Sequence, residues 1–223
     1  MLGPDHTIIF DLDGTLVDTM PDLCRALNFV LEKHHRPTVD EDTIRAYVGK
    51  GALKLIERGI SDNGNTPDRS LLKKVEAEFL VYYQANIANK SRPFPGVVDA
   101  LTTFSNRGAL LGVCTNKREA LSRQLLEELD LIRFFPAVLG ADTLGVCKPD
   151  PAHILETVKR LGGDPQSSIM VGDSATDVEA AHNAGIPVVV VSFGYTLQSP
   201  KSLGGDRLID HFDELESALM ELL

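Results

Sequence analysis

Five short runs of apolar and β-branched residues, Thr7–Phe10, Leu110–Cys114, Ala137–Leu139, Ser168–Val171 and Pro187–Val191, punctuate this chain. Segments with apolar residues at helical spacing separate them: Gly96–Arg107, Arg118–Leu129, Pro151–Leu161 and Thr176–Ala184, with Phe212–Leu222 closing the chain. Runs this short fit strands buried on both faces, and their alternation with helices predicts an α/β fold with a mostly parallel sheet covered on each side. Leu208–Ile209 has room only for a short edge strand. In such a sheet ligands bind beyond the carboxyl ends of the strands. The polar motifs of this sequence fall at those ends.

One stretch breaks the alternation. From Asp18 to Arg92 only helical segments are expected: Met20–His34, Glu41–Val48, Ala52–Arg58 and Ser70–Asn89. Turn residues Asn63-Gly64-Asn65 and Pro67 interrupt them within Gly59–Arg69, and Arg92-Pro93-Phe94-Pro95-Gly96 marks the return to the sheet. The expected division is a core of residues 1–17 and 93–223 with a small all-α cap, residues 18–92, inserted after the first strand. Both ends of the insertion lie next to the first acidic motif, so the cap is expected to act as a lid over it.

That motif is Asp11-Leu12-Asp13-Gly14-Thr15, directly after Ile8-Ile9-Phe10; a second, Gly172-Asp173-Ser174-Ala175-Thr176-Asp177, follows Ile169-Met170-Val171. Asp-Gly alone reads as a solvated turn, and either motif alone reads as a helix cap. Burying a carboxylate is costly unless something neutralises it. Acids at two strand ends of one sheet therefore call for a cation, and hard oxygen donors with room for water and phosphate suit Mg²⁺. Two other strand ends have the opposite character. Thr115-Asn116-Lys117 offers a hydroxyl and backbone N–H groups entering a helix, a suitable anion cradle. Lys148 immediately precedes the proline-bounded helix start Pro149-Asp150-Pro151. The combined expectation is phosphate held by Thr115 and Lys148 and metal held by aspartates.

Composition narrows the partners. With 22 Lys and Arg against 32 Asp and Glu, the formal charge is -10 and no basic block appears, which argues against nucleic acid. Apolar runs such as Val188–Val191 are too short to cross a bilayer. The chain passes from Asp5 and His6 straight into a strand, so no signal peptide is expected. Cys24, Cys114 and Cys147 lack C-x-x-C spacing and read as reduced, buried thiols of a cytoplasmic protein. The six histidines lack zinc spacing, His34-His35 reads as solvated, and neither G-x-S-x-G nor a P-loop is present.

Taken together, D-x-D-G-T at Asp11–Thr15, the strand-end Thr115, Lys148-Pro149 and G-D-S-x-x-D at Gly172–Asp177 resemble the haloacid dehalogenase superfamily of phosphotransferases. The resemblance spans essentially the whole chain. It implies a Rossmann-like core with a helical cap after the first motif, and Asp13, absent from the true dehalogenases, implies phosphate chemistry. It implies Asp11 as nucleophile, Asp13 as general acid and base, and Mg²⁺ held by Asp11, Asp173 and the main-chain carbonyl of Asp13. Lys148 would orient the nucleophile and share the phosphoryl charge. Asp177 would support metal-bound water or Lys148, Gly14 would permit the turn and Thr15 would cap it.

Within the superfamily, Tyr47-Val48-Gly49-Lys50-Gly51-Ala52, Thr115-Asn116-Lys117 and Phe193-Gly194-Tyr195 are similar to the phosphoglycolate phosphatases. Lys50 departs from the small polar residue expected between the two glycines. The implied substrate contacts are Thr115, Asn116, Lys148, Gly49, Lys50 and Gly51, and the implied partner is a small phosphorylated metabolite, handled by a monomer or homodimer. A phosphomutase of the β-phosphoglucomutase kind, another sugar-phosphate phosphatase and a non-catalytic binding protein on the same fold stay open at this point.

Overall fold

The computed structural model describes residues 2–45, 51–61 and 68–223. A six-stranded parallel sheet forms the core, with strands β1 (Thr7–Phe10), β4 (Leu110–Cys114), β5 (Ala137–Leu139), β6 (Ser168–Gly172), β7 (Val188–Val191) and β8 (Arg207–Ile209). Its order, β5-β4-β1-β6-β7-β8, reverses direction at β1: the chain runs outward through β4 and β5, then crosses back to β6. Register pairs Phe10 with Val113 on one side and with Val171 on the other. Asp11, Thr115 and Asp173 thus leave adjacent strands at the same edge, the crevice where such sheets bind ligands.

The period of two along each strand sorts the core into two layers. Ile8, Phe10, Leu111, Val113, Ile169 and Val171 pack with Leu101 and Phe104 of α5 (Val97–Asn106), Leu125 of α6 (Glu119–Glu128) and Leu215 of α9 (Leu215–Met220). Ile9, Cys114, Met170, Val188 and Val190 pack with Ile154 and Val158 of α7 (Pro151–Leu161) and Val178 of α8 (Ala175–Asn183) on the other face. Helix α7 begins where Asp150 accepts a hydrogen bond from the Ala152 amide beside Pro151, and ends at Gly162 in the left-handed conformation.

Between β1 and β4 the chain forms helices α1 (Met20–Lys33), α2 (Glu41–Arg45), α3 (Ala52–Ile60) and α4 (Arg69–Ala85), which bury Leu27, Val30, Ile56, Val75 and Phe79 among themselves. The turn expected to begin at Gly59 starts later, because α3 runs to Ile60. The segment also carries two strands that the sequence reading did not anticipate. Here β2 (Val17–Asp18) and β3 (Arg92–Pro93) pair antiparallel and tie its two ends together. Two residues per strand are too few to show any periodicity. Buried Asp22 reinforces the tie: its Oδ2 accepts from the Lys90 amide (2.8 Å), the Ser91 amide (2.7 Å) and the Ser91 hydroxyl (2.8 Å). No described helix is long and apolar enough to cross a membrane.

Candidate active site

Three carboxylates converge where β1 and β6 end. Asp11, Asp173 and Asp177 each offer an oxygen within 4.8 Å of the others, and all three are buried. Lys148, also buried, reaches between them, with Nζ 2.9 Å from Asp11 Oδ1 and donating to Asp177 Oδ1 at 2.6 Å. Asp177 is further engaged through Oδ2, which accepts from the Asp173 and Ser174 amides and from the Ser174 hydroxyl in a capping box at the start of α8. Of the two supporting roles open to Asp177 from sequence, the observed contact is with Lys148.

Asp173 is steered from two sides. Its Oδ1 accepts from the Thr15 hydroxyl (3.3 Å) and its Oδ2 from the Tyr195 amide (2.7 Å). Thr15, expected to cap the turn, instead spends its hydroxyl on this second motif. Gly14 has φ of +85°, and a Cβ there would lie 2.5 Å from Asp173 Oδ2. Glycine at this position therefore serves both the turn and the close approach of the two motifs.

The electrostatics of this cluster are unbalanced. One ammonium faces three buried carboxylates. Burial first, then Lys148 in opposition and Asp177 in support, leaves the Asp11 carboxyl raised to about 6. Burial, then Asp177 and Asp11, holds Asp173 well above the usual carboxylate range. Lys148 is held above the ordinary lysine value because Asp11 and Asp177 outweigh burial. Hard oxygen donors with excess negative charge in a buried site fit a divalent cation of the Mg²⁺ kind.

Thr115 is buried at the end of β4, where its amide donates to Leu139 and its Oγ1 accepts from the Lys117 amide. Asn116 donates through Nδ2 to the Lys148 carbonyl at 3.1 Å, so it also holds the Lys148 loop. Asp13 points away from the three-carboxylate cluster. Its Oδ1 accepts from the Thr19 hydroxyl (2.7 Å) and from Lys117 Nζ (2.9 Å), and its Oδ2 lies 3.1 Å from the same ammonium. Lys117 also donates to the Tyr83 hydroxyl of α4 at 2.8 Å.

A cavity of about 230 Å³ lies over these groups. Asp11, Asp13, Thr115, Asn116 and Lys117 form its floor, while Leu23, Leu55, Phe79, Leu80 and Tyr83 from the helical segment form its roof. Gly51, with φ of +85°, lines it as well. Gly49 and Lys50, expected to touch substrate, lie outside the described residues. Cys24 and Cys114 are buried as expected, but Cys147 is exposed and lines the cavity. The adjoining Lys148 takes the interior place instead. His34, read as solvated, meets Glu78 at 2.8 Å.

Sequence reading did not assign roles to Lys117, Tyr83 or Tyr195. Tyr195 donates its hydroxyl to Asp18 (2.7 Å) while accepting from the Thr19 and Met20 amides (2.6 and 3.0 Å), so it joins the Asp173 side of the site to the start of α1. The signals for Lys117 were its place two residues after a strand-end threonine and the family likeness of Thr115-Asn116-Lys117, neither of which names a partner.

A sheet that reverses at β1, with an acidic cluster, a buried lysine and a strand-end threonine at the reversal, fits an α/β enzyme of phosphate chemistry. The haloacid dehalogenase-like hydrolase family model matches residues 8–191, and the chain belongs to that family. A phosphoglycolate phosphatase of Mesorhizobium japonicum is 45% identical over 97% of this chain and 95% of its own. Another from Caulobacter vibrioides is 45% identical over 97% of this chain and 92% of its own. Among solved structures, a protein of Haemophilus somnus described as a predicted phosphoglycolate phosphatase superposes with a TM-score of 0.91 at 30% identity, covering 98% of this chain and 99% of that one. The chain is an enzyme of the phosphatase class.

Proposed function

We propose that this enzyme is a Mg²⁺-dependent phosphatase that hydrolyses 2-phosphoglycolate through an aspartyl phosphate on Asp11. The observation that carries the reading is the junction of Asp11, Lys148, Asp173 and Thr115 at one sheet edge, with Asp13 set apart on the cavity side. Bound by Asp11, Asp173 and the Asp13 carbonyl, Mg²⁺ would supply positive charge that offsets repulsion between the nucleophile and a phosphate dianion. Lys148 and Thr115 bind the phosphoryl oxygens. The Asp11 carboxylate attacks phosphorus, the ester P–O bond breaks, and Asp13 gives its proton to the departing glycolate oxygen. Asp13 then removes a proton from water, whose oxygen attacks phosphorus. That step releases inorganic phosphate and restores the Asp11 carboxylate.

Residues 18–92 act as a cap in this reading, and residues 1–17 and 93–223 as the catalytic core. The cap supplies most of the apolar roof, whose closure over bound substrate would shield the reacting centre from water. The relatives named as phosphoglycolate phosphatases support the substrate.

The test is a kcat/KM panel with Mg²⁺ over phosphoglycolate, neutral alkyl phosphates, sugar phosphates and nucleotides, reading free phosphate. Phosphoglycolate is expected to lead the panel, and Asp11→Asn to lower turnover on the order of a thousandfold or more. A sugar phosphate in first place overturns the substrate, and phosphate transfer to a second hydroxyl without release points to a mutase. Near wild-type turnover by Asp11→Asn overturns the covalent route.

A further inference from the structure

Two described cations line the cavity, Arg118 and Lys117, and they differ. Arg118 is half exposed and reaches Glu76 of α4 at 2.7 Å, so its charge is spent at the rim. Lys117 is buried, with its ammonium between both Asp13 oxygens on one side and the Tyr83 hydroxyl on the other, 4.6 Å from the Tyr83 ring centre. Burial lowers its pKa, but Asp13 and Tyr83 more than compensate and hold it above the ordinary lysine value.

Two constraints meet at this ammonium. In the proposed reaction Asp13 faces the ester oxygen of the leaving group. In phosphoglycolate a single methylene separates that oxygen from the carboxylate. A cation touching both oxygens of Asp13 is therefore within a carboxymethyl's reach of the substrate carboxylate. The second constraint is the roof. Leu23, Leu55, Phe79 and Leu80 offer a carboxylate no partner, and an unpaired carboxylate in such a cavity is disfavoured. Tyr83 is a neutral ligand to the ammonium and can yield its place to a charged one.

We propose that Lys117 is the specificity-determining residue of the site, pairing its ammonium with the carboxylate of the leaving group in exchange for the Tyr83 hydroxyl. Substrate choice then resides at the end of β4 as well as in the cap. The inference rests on phosphoglycolate being the substrate, and it extends that reading by naming the group that recognises it.

The experiment compares phosphoglycolate with ethyl phosphate, which lacks the carboxylate, on wild type, Lys117→Met and Lys117→Arg. Lys117→Met is expected to lower kcat/KM for phosphoglycolate about ten- to a hundredfold more than for ethyl phosphate, the scale of one charge-assisted contact. Lys117→Arg is expected to recover part of the preference. Equal losses on both substrates overturn the proposal, because a residue that only positions Asp13 affects every ester alike. A wild type without preference overturns the substrate reading instead. Should Lys117→Met fail to fold, wild type labelled with ¹⁵N-lysine gives the answer. Its Lys117 ammonium resonance is expected to move on adding 3-phosphonopropionate but not propylphosphonate, and an equal response to both analogues overturns the proposal.

Discussion

Lys148 and Lys117 are both buried ammonium groups at the carboxyl edge of the sheet, yet they sit in different mechanical settings. Lys148 joins Asp11, directly after β1, to Asp177 in the first turn of α8, the helix that follows the neighbouring strand β6. Lys117 joins Asp13 on the floor to Tyr83 on a helix of the roof, across the cavity. The floor is therefore set by parallel register and internal pairing. The roof meets it through single side-chain contacts, plus the β2–β3 ladder and the Asp22 clamp where the chain crosses. Rigid pairing suits groups that must present a nucleophile, and replaceable pairing suits groups that must meet a substrate.

The largest expected effect tests whether the floor itself divides into a metal side and a proton side. Asp13→Asn is expected to lower kcat by about 10²–10⁴-fold while leaving the Mg²⁺ dependence unmoved. Its side chain is bound to Thr19 and Lys117, away from the acidic cluster. Asp173→Asn is expected to raise the Mg²⁺ concentration for half-maximal activity by about 10–100-fold, with excess Mg²⁺ restoring part of kcat. A Mg²⁺ titration of both variants decides the matter. If Asp13→Asn shifts the metal curve and Asp173→Asn does not, the division is wrong.

The gathering of these groups at one sheet edge was legible in sequence because each motif is a local signal. Asp11, Thr115 and Asp173 each directly follow a strand, and parallel pairing brings those strand ends together without further information, whereas Lys148 sits in the loop between β5 and α7, just before the helix start. Contacts between floor and roof were not legible. Lys117 and Tyr83 are 34 residues apart, and nothing local to Thr115-Asn116-Lys117 names a partner for the lysine. Tyr195 was noted only for a family likeness, because its amide and hydroxyl act on Asp173 and α1 through tertiary placement. Cys147 was misread because thiols are usually buried, whereas here the neighbouring lysine turns inward and the cysteine faces the cavity. Side-chain direction in a turn has no periodicity to read.

Acid provides a second way to separate floor from roof. His153 on α7, beneath the floor, is fully buried, and burial followed by the charge of Lys148 pushes its imidazole down to about 4 from the ordinary 6.5. The unfolded chain binds this proton between those two pH values while the folded chain does not. The histidine thus favours the folded state fully above pH 6.5. That contribution is lost as pH falls towards 4, by up to about 3 kcal/mol across the window. Raised Asp11 and Asp173 bias stability in the opposite sense, so the difference between wild type and His153→Gln is the quantity to read. Urea unfolding at pH 7.5 and near pH 5 is expected to show a steeper acid loss in wild type. Equal losses in the two proteins would remove His153 from the account.

The smallest effect is expected where roof meets floor in solvent. Arg118 lies at the start of α6 and Glu76 on α4, paired at 2.7 Å, but the arginine side chain is 50% exposed. Exposed pairs gain little from attraction that water and salt already screen, and ordering two long side chains offsets part of that gain. Glu76→Gln is therefore expected to cost less than about 1 kcal/mol, seen as at most about 2–4 °C in Tm, with the difference shrinking in high salt. Any change in KM for phosphoglycolate is expected to be a few-fold and equally salt-sensitive. A salt-independent collapse of activity in Glu76→Gln would mean that the rim holds the roof closed. The buried Lys117–Tyr83 contact would then be a consequence of closure, and the contrast between a fixed floor and a roof engaged through replaceable side-chain contacts would have to be redrawn at Arg118.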